Sequence, residues 1–348
     1  MTSNAQKIIN VKVSKPYDVI IGSGIIENVG KLVSQVVTTK KLALVTDDAV
    51  DDLYSQKVIN LLKDSGFEIA KFAFLHGECS KNIDTYSKIL QFLAENQFTR
   101  TDAIIALGGG VVGDMAGFAS ATYLRGIKYI QIPTTLLAQI DSSVGGKTAI
   151  DLPQGKNLVG AFYQPELVIC DTDMLKTLPK SIFQDGMGEA VKYSLLDKRV
   201  FDLLLTDYDI VDLVYLCVDY KRMVVEKDEF EGGLRKLLNL GHTPAHGIER
   251  LSNYTIPHGN AVAMGLKIIL KSSLNHGFID SDLYQKAIKI VEDNVRQTAC
   301  PYTIEQICNA SLTDKKRSGD YITLIMVHGV GDCRPIKIEI SNLWGYLD

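Results

Sequence analysis

The chain has 348 residues, of which 46% are hydrophobic and 22% are charged. This composition is typical of a folded globular protein and excludes a disordered or collagen-like chain. Its 37 lysines and arginines are balanced by 41 aspartates and glutamates, which gives a formal net charge of -4 and argues against a dedicated nucleic-acid binder.

The length and the cysteines narrow the class further. At about 150 residues per domain, 348 residues correspond to roughly two domains. No apolar run approaches the roughly 20 residues of a membrane-spanning helix. The six cysteines are scattered and form no Cys-x-x-Cys pair, so we expect reduced thiols in a cytoplasmic protein.

The first half of the sequence alternates between strand-like and helix-like segments. Short β-branched runs predict strands at 18–21, 41–46, 68–74, 103–107, 129–132 and 167–170. Apolar residues spaced three and four apart predict helices at 51–65 and 82–96. Such alternation is typical of a mostly parallel sheet covered by helices, which is an α/β fold.

The pattern changes after Leu178 and Pro179. Helical periodicity predicts helices at 181–196, 200–230, 234–250, 260–276 and 281–298. The next strand signal lies at 321–327. We therefore place a boundary at residue 178, between an α/β domain (1–178) and a mainly helical domain (179–348). In an enzyme of two such domains, a ligand site is expected in the cleft between them.

A glycine-rich loop follows the predicted strand at 103–107. Gly108, Gly110 and Gly113 match the pattern G-x-G-x-x-G, in which backbone amides at a helix N-terminus bind a pyrophosphate. A glycine-rich turn that binds nothing is the alternative, since the pattern is short. The acidic residue that usually binds the ribose about 20 residues later is missing from 128–135, and Asp47 and Glu78 are alternative candidates.

Candidate anion-binding groups are concentrated at 122–157. They are Arg125, Thr134, Thr135, Asp141, Lys147, Lys156 and Asn157. The segment 145–148 resembles the end of the phosphate loop of nucleotide hydrolases, but that motif requires glycine at the position of Asp141, so the hydrolase interpretation fails. Lysines held by glycine turns near hydroxyls favour phosphate or carboxylate ligands, although surface loops often carry Lys and Gly without binding anything.

Three of the six histidines fall within residues 242–258. His242 and His246 are spaced i, i+4, which places both on one face of a helix and is a spacing used in zinc sites. His258 follows, and Asp185 or Glu189 could supply an acidic ligand. A single histidine of this kind is more often a hydrogen-bonded residue. The cluster of three favours a metal, because catalytic zinc commonly has three protein ligands.

Two further features adjoin these histidines. Lys192 lies one helical turn after Glu189. Arg235 and Asn239 are spaced i, i+4 just before His242. One interpretation of the pair is a solvated helix face. The other is that the guanidinium lies beside a metal and donates two hydrogen bonds to a carboxylate ligand.

Taken together, these segments resemble the 3-dehydroquinate synthase family, sugar-phosphate cyclases of the shikimate pathway. The matching stretches follow in order over nearly the whole chain, at 108–114 with 117–118, 122–126, 133–137, 141–150, 155–160, 177–179, 186–192, 231–239, 241–242 with 246, 258–259 and 314–316. The resemblance implies a Rossmann-like NAD-binding α/β domain at 1–178 and a mainly α-helical metal- and substrate-binding domain at 179–348. It also implies a homodimer.

The resemblance implies a role for individual residues as well. Glu189, His242 and His258 would bind Zn2+ or Co2+, so that His246 would face the substrate. The residues that would contact NAD+ are Asp47, Glu78, Lys81, Gly109, Gly110, Val111, Asp114, Thr134, Thr135, Lys147, Lys156, Leu175 and Thr177. The substrate would be bound by Asp141, Lys147, Asn157, Lys192, Lys221, Glu231, Arg235, Asn239 and His246, by one lysine of 315–316, taken here as Lys316, and by Arg125 reaching across the dimer.

The implied reaction converts 3-deoxy-D-arabino-heptulosonate 7-phosphate into 3-dehydroquinate and phosphate, with NAD+ regenerated in each cycle and the metal acting as a Lewis acid. Three alternatives stay open: a cyclase whose substrate lacks the carboxylate, a metal-dependent polyol dehydrogenase, and a nucleotide-sensing binding protein. The sequence departs from the commonest family pattern at Gly188, where alanine is usual, at Pro244, and at Cys79-Ser80.

Overall fold

The computed structural model describes residues 6–311 and 320–348. They form two compact units. Unit 1 comprises the chain up to Leu178 together with Lys221–Glu226, and unit 2 comprises Pro179–Tyr220 and the chain from Lys227 onward. In the described residues, no helix is both long enough and apolar enough to cross a bilayer.

Unit 1 is built on a seven-stranded sheet with the order β1-β2-β9-β6-β5-β3-β4. Only the pairing of β1 with β2 is antiparallel. The strands are β1 (Lys7–Val11), β2 (Tyr17–Gly22), β3 (Lys41–Asp47), β4 (Glu68–Phe74), β5 (Ala103–Gly108), β6 (Lys128–Pro133) and β9 (Leu167–Asp171). A separate hairpin is formed by β7 (Lys147–Leu152) and β8 (Gly155–Phe162). The helices are α1 (Val29–Ser34), α2 (Asp48–Val50), α3 (Gln56–Asp64), α4 (Ile83–Glu95) and α5 (Gly110–Thr122).

The interior strand β5, between β6 and β3, is buried along its whole length, as expected for a continuous apolar run with helices on both faces. Side chains alternate between the two faces of a strand. Ile105 and Leu107 therefore pack into one core with α1 and α3, while Ile104 and Ala106 pack into the other with α4 and α5. All six strands predicted in this half are present, which confirms the α/β class.

The elements of unit 1 that escaped prediction are the strands β1, β7 and β8 and the short helices α1 and α2. Strand β1 is half exposed, and β8 contains two glycines and polar residues, so neither has a strong apolar alternation. Consequently Lys147 and the pair Lys156-Asn157 lie on strands of a hairpin rather than in loops.

Unit 2 is mainly helical. Its helices are α6 (Lys180–Leu196), α7 (Lys198–Leu204), most of α8 (Ile210–Lys227), α9 (His242–Leu251), α10 (His258–Asn275), α11 (Ser281–Asn294), α12 (Ile304–Ser311) and α13 (Leu343–Leu347). The hairpin β10 (Tyr321–Gly329) and β11 (Asp332–Glu339) completes it. The second strand of this hairpin was not predicted.

Three predicted helices were wrong in extent, and one of them, 281–298, ends at Asn294. The segment 200–230 is divided at 205–209, where the Asp209 carboxylate accepts a hydrogen bond from Val211 N–H and competes with helix continuation. The segment 234–250 is a 3-10 helix (Leu234–Asn239) followed by α9. Gly241 between them has φ +78°, and Pro244 falls in the first turn of α9, where its missing N–H costs no helical hydrogen bond.

Candidate active site

Helices α6, α9 and α10 of unit 2 approach closely at glycines. A Cβ atom at Gly188 on α6 would lie 2.0 Å from the carbonyl oxygen of Gly259 on α10. A Cβ atom at Gly265 on α10 would lie 2.2 Å from the carbonyl oxygen of Gly241, the residue before α9. Backbone atoms occupy the space that any side chain would need, so these glycines set the spacing of the three helices. Gly188, which stands where alanine is usual in the pattern described above, therefore lies at a tight contact between α6 and α10.

Each of these helices carries one metal-ligand candidate beside such a glycine. Glu189 follows Gly188, and His242 and His258 are the first residues of α9 and α10. Glu189 Oε1 lies 3.3 Å from His242 Nε2 and 3.0 Å from His258 Nε2, and donor atoms of the three residues lie within 4.8 Å of one another. We call Glu189, His242 and His258 the donor cluster.

The other ring nitrogen of each histidine in the donor cluster has its own acceptor. His242 Nδ1 is 3.1 Å from the carbonyl oxygen of Leu240, and His258 Nδ1 is 3.2 Å from Glu249 Oε1. With Nδ1–H donating to these acceptors, each Nε2 atom faces the centre of the donor cluster, where a bound metal would replace any Nε2 proton, which is the arrangement of metal-binding histidines. Glu249 is not among the residues predicted from the sequence. The sequence signal that could have indicated Glu249 is its position seven residues after His242, because residues i and i+7 lie on the same face of a helix.

The charges around the donor cluster are strongly coupled. Burial raises the pKa of Glu189, but the adjoining Lys192 ammonium and the two imidazoles outweigh it and hold that pKa well below its usual range. Burial lowers the pKa of His242 to about 4, which keeps its ring neutral near pH 7. Burial also disfavours a charged His258, but hydrogen bonds to Glu189 and Glu249 raise its pKa to about 10.

The two other local candidates for metal ligands lie outside the donor cluster. The Asp185 carboxylate accepts a hydrogen bond of 2.6 Å from Gly259 N–H, so it is bonded to the backbone at the start of α10. The ring of His246 packs edge-to-face on that of His242, with centroids 5.7 Å apart. The structure therefore groups Glu189 rather than Asp185, and His258 rather than His246, with His242.

A carboxylate organises the loop before α9. Asp228 accepts hydrogen bonds from the backbone N–H groups of Gly232, Gly233 and Arg235, at 2.7, 2.7 and 2.8 Å. Burial works against the charge on Asp228, but these bonds and Arg235 lower its pKa. The loop that carries Glu231 is thus shaped by a residue absent from our sequence predictions.

The predicted substrate residues of this segment are held by short-range contacts. Arg235 is only 2% exposed, and its Nη1 donates to the carbonyl oxygen of Glu229 at 2.5 Å. Asn239 Nδ2 is 3.3 Å from Glu231 Oε1. The alternative of a solvated helix face is wrong, because Arg235 is buried. The spacing i, i+4 also does not place the two residues on one face, because four residues along a 3-10 helix turn through about 120° beyond a full circle.

In unit 1, the candidate dinucleotide residues follow neighbouring parallel strands. Asp47 ends β3, Gly109 follows β5, and Thr134 follows β6. Thr46 pairs with Leu107 and Gly108 with Pro133, so these strands end at the same edge of the sheet. In parallel α/β sheets this carboxyl edge is where ligands bind.

The start of α5 has donors available to an anion. Gly109 precedes the helix, and no side chain in the described residues caps it. The first N–H groups of a helix lack partners within the helix, and those of α5 belong to Gly110, Val111 and their successors. Within the same described ranges, the buried Thr134 Oγ1 has no hydrogen-bond partner. These orphaned groups fit a phosphate ligand.

Three other predicted residues of unit 1 meet at a buried ammonium group. Lys81 is 4% exposed, and its Nζ lies 2.6 Å from Asp114 Oδ2 and 2.6 Å from Asn157 Oδ1. Burial disfavours the ammonium, yet the carboxylate of Asp114 raises the pKa of Lys81. Burial likewise raises the pKa of Asp114. Lys81 therefore links α5 to the β7–β8 hairpin.

The remaining predicted residues of unit 1 have defined positions. The Asp47 carboxylate accepts from Val50 N–H at 2.9 Å, and the hydroxyls of Thr177 and Tyr54 are 2.5 Å apart. Lys156 lies 3.6 Å from Glu78. Lys221 Nζ donates to Asp141, and Thr135 lies beside Gly109. Leu175 is buried, and Lys147 is the first residue of β7. Arg125 is exposed and has φ +66°. Lys315 and Lys316 lie outside the described residues.

Comparison with known proteins gives consistent matches along the chain. The family model described as 3-dehydroquinate synthase N-terminal matches residues 71–185, and the one described as 3-dehydroquinate synthase C-terminal matches residues 186–317. A 3-dehydroquinate synthase from Clostridium acetobutylicum is 42% identical over 345 residues, which covers 95% of this chain and 96% of that relative.

Solved structures with lower identity share the fold. A 2-deoxy-scyllo-inosose synthase, crystallised with carbaglucose-6-phosphate, NAD+ and Co2+, superposes with a TM-score of 0.87 at 23% identity and covers 99% of each chain. A 2-epi-5-epi-valiolone synthase from Streptomyces hygroscopicus subsp. jinggangensis, with NAD+ and Zn2+ bound, gives a TM-score of 0.86 at 21% identity. That match covers 100% of this chain and 98% of the other.

Proposed function

The chain belongs to the 3-dehydroquinate synthase family, and we propose that the donor cluster and the strand-end residues of unit 1 hold the metal and the dinucleotide for its reaction. That reaction converts 3-deoxy-D-arabino-heptulosonate 7-phosphate into 3-dehydroquinate and phosphate, a step of the shikimate pathway. The protein is thus a phosphate-eliminating lyase that depends on NAD+ and a divalent metal. Residues 1–178 would form the NAD-binding domain, and 179–348 the metal- and substrate-binding domain.

The donor cluster is the observation that carries the site assignment. Two imidazole Nε2 atoms and one carboxylate oxygen are the ligand set of many catalytic zinc sites, which leave a position open for a substrate oxygen. When bound, Zn2+ or Co2+ supplies a Lewis acid that stabilises negative charge on that oxygen. The surrounding residues keep two of these ligands in the protonation state that binds a metal. Lys192 favours an ionised Glu189, and burial favours a neutral His242.

The carboxyl edge of the sheet in unit 1 fits NAD+. The amides of Gly109, Gly110 and Val111 would bind its pyrophosphate, with Thr134 and Thr135 beside them. The other contacts would come from Asp47, Glu78, Lys81, Asp114, Lys147, Lys156, Leu175 and Thr177. When bound, NAD+ supplies the reversible hydride transfer of the reaction. Asp47 at the end of β3 replaces the ribose-binding acid that the sequence after the glycine loop lacks.

Cationic and amide side chains would bind the two anionic groups of the substrate. Arg235 and Lys221 would bind the carboxylate, because a planar guanidinium can donate two parallel hydrogen bonds to it. Lys147, Asn157, Asn239, His246, Arg125 and Lys316 would bind the phosphate. Asp141 would position Lys221, to which it is already bonded. Glu231, bonded to Asn239, would exchange a proton with the substrate.

We further propose that the enzyme is a cytoplasmic homodimer, in which Arg125 reaches the neighbouring site. Its exposed position in a tight turn, where Leu124 and Arg125 both have positive φ, supports a side chain directed away from its own sheet. Neither nucleic acid nor a membrane is expected as a partner.

A phosphate-release assay tests the proposal directly. The zinc-loaded protein with NAD+ should release phosphate from the heptulosonate phosphate without lasting NADH absorbance, should lose this activity on chelation, and should regain it with zinc. Net NADH accumulation would indicate a dehydrogenase instead. Phosphate release from glucose 6-phosphate, but not from the heptulosonate phosphate, would indicate a cyclase for substrates that lack the carboxylate.

A further inference from the structure

His258 lies between two carboxylates from different helices. Its Nε2 is 3.0 Å from Glu189 Oε1, and its Nδ1 is 3.2 Å from Glu249 Oε1. Glu249 belongs to α9, His258 begins α10, and Glu189 lies on α6. We propose that Glu249 is a positioning residue that holds the His258 ring in one orientation, so that Nε2 faces the metal. This inference rests on the metal site proposed above.

The position of Glu249 argues against a purely local role. It is 6% exposed and lies in the last turn of α9, which ends at Leu251. A carboxylate near the C-terminus of a helix is disfavoured by the helix dipole, and a buried carboxylate is costly without a hydrogen-bond donor. The contact with His258 Nδ1 supplies a donor to this carboxylate and so helps to offset both costs.

The two histidines of the donor cluster differ in how they are held. The Nδ1 acceptor of His242 is the backbone carbonyl of Leu240, which no substitution removes. The Nδ1 acceptor of His258 is a single side chain on another helix. His258 should therefore be the ring whose orientation depends on one residue, and loss of outer partners of this kind typically lowers metal affinity about 10- to 100-fold.

The test compares zinc affinity in the full-length protein, measured by competition with a chromophoric chelator. We expect Glu249→Leu to weaken zinc binding about 10- to 100-fold, and Glu249→Gln, which keeps an acceptor oxygen, to weaken it less. Asp197→Asn is the matched control, because Asp197 is a similarly buried carboxylate of unit 2 (8% exposed) that bonds to Arg199. It should bind zinc as the wild type does.

A second measurement reports the ring itself. In 15N-labelled, zinc-loaded wild type, His258 should carry its proton on Nδ1, and this signal should broaden or shift in Glu249→Leu but not in Asp197→Asn. If Glu249→Leu does not fold, Glu249→Gln carries the test, with a loss of affinity larger than that of the control.

Unchanged zinc affinity in folded Glu249 variants, or an equal loss in Asp197→Asn, would overturn the role of Glu249. Failure of the wild type to bind zinc at all would instead overturn the proposed metal site, and the inference with it. The two failures are thus distinguished without any measurement of turnover.

Discussion

Gly259→Ala should separate two helices and weaken metal binding. A Cβ atom at this position would lie 1.7 Å from the carbonyl oxygen of Asp185 and 2.7 Å from its carbonyl carbon. Both are backbone atoms of α6 and cannot rotate away. A normal carbon–oxygen contact of roughly 3.3 Å requires α6 and α10 to move apart by about 1.5 Å, since interiors are closely packed. Glu189, one turn along α6 from Asp185, would move away from His258.

The energetic cost follows from two opposing effects. Overpacking of this kind costs about 1–3 kcal/mol, while replacing glycine by alanine in a helix contributes up to about 1 kcal/mol. The net destabilisation should be up to about 2.5 kcal/mol, which applies when the replacement of glycine contributes only about 0.5 kcal/mol. This corresponds to a fall in melting temperature of several degrees, at about 2–4 °C per kcal/mol. The larger effect should be on zinc affinity, because metal coordination tolerates distance errors of only about 0.2 Å.

Gly345→Ala is the matched control for Gly259→Ala. Gly345 lies in helix α13, and among the described residues no atom lies within 4 Å of the Cβ position apart from its chain neighbours and the backbone of its own helix. This variant should be as stable as the wild type, or more stable by about 0.4–1 kcal/mol, with unchanged zinc affinity. The close-approach argument is refuted if Gly259→Ala matches Gly345→Ala in both melting temperature and chelator competition.

Four further predictions concern the site residues. His258→Ala should abolish phosphate release and zinc binding while NAD+ affinity, measured by fluorescence titration, stays near the wild-type value, and full activity would disprove the ligand assignment. Asp228→Ala should raise KM more than it lowers kcat, because it releases the loop that carries Glu231 and Arg235, and an unchanged KM would show that the loop holds without it. The pKa of Asp228 is lowered in the folded protein, so its carboxylate stabilises the fold only while it is ionised. Urea unfolding should therefore show the full difference in stability between the wild type and Asp228→Ala above about pH 4, and this difference should disappear as the pH falls below that value. Mixing inactive Arg125→Ala and His258→Ala proteins under subunit exchange should restore phosphate release, since a hybrid dimer would contain one intact site, and failure despite proven exchange would exclude the reach of Arg125 across the dimer.

Much of this protein can be predicted from the sequence because the signals are local. Apolar spacing located the strands of the parallel sheet and most helices, since a strand or helix buries one face or stripe wherever it packs. The glycine loop after β5 and the histidines at 242–258 indicated a dinucleotide and a metal from their chemistry. The resemblance to a known family then assigned roles that spacing alone left open, including the choice of His258 over His246.

Only the tertiary structure decided which donors meet. Asp185 and Glu189 are equivalent as acidic residues of α6, but one bonds to the backbone of α10 and the other faces His242 and His258. That difference depends on the contact between Gly188 and Gly259, which are 71 positions apart in sequence. Glu249 and Asp228 escaped prediction for the same reason: their partners are defined by distances between helices and loops, and no periodicity along the chain records such distances.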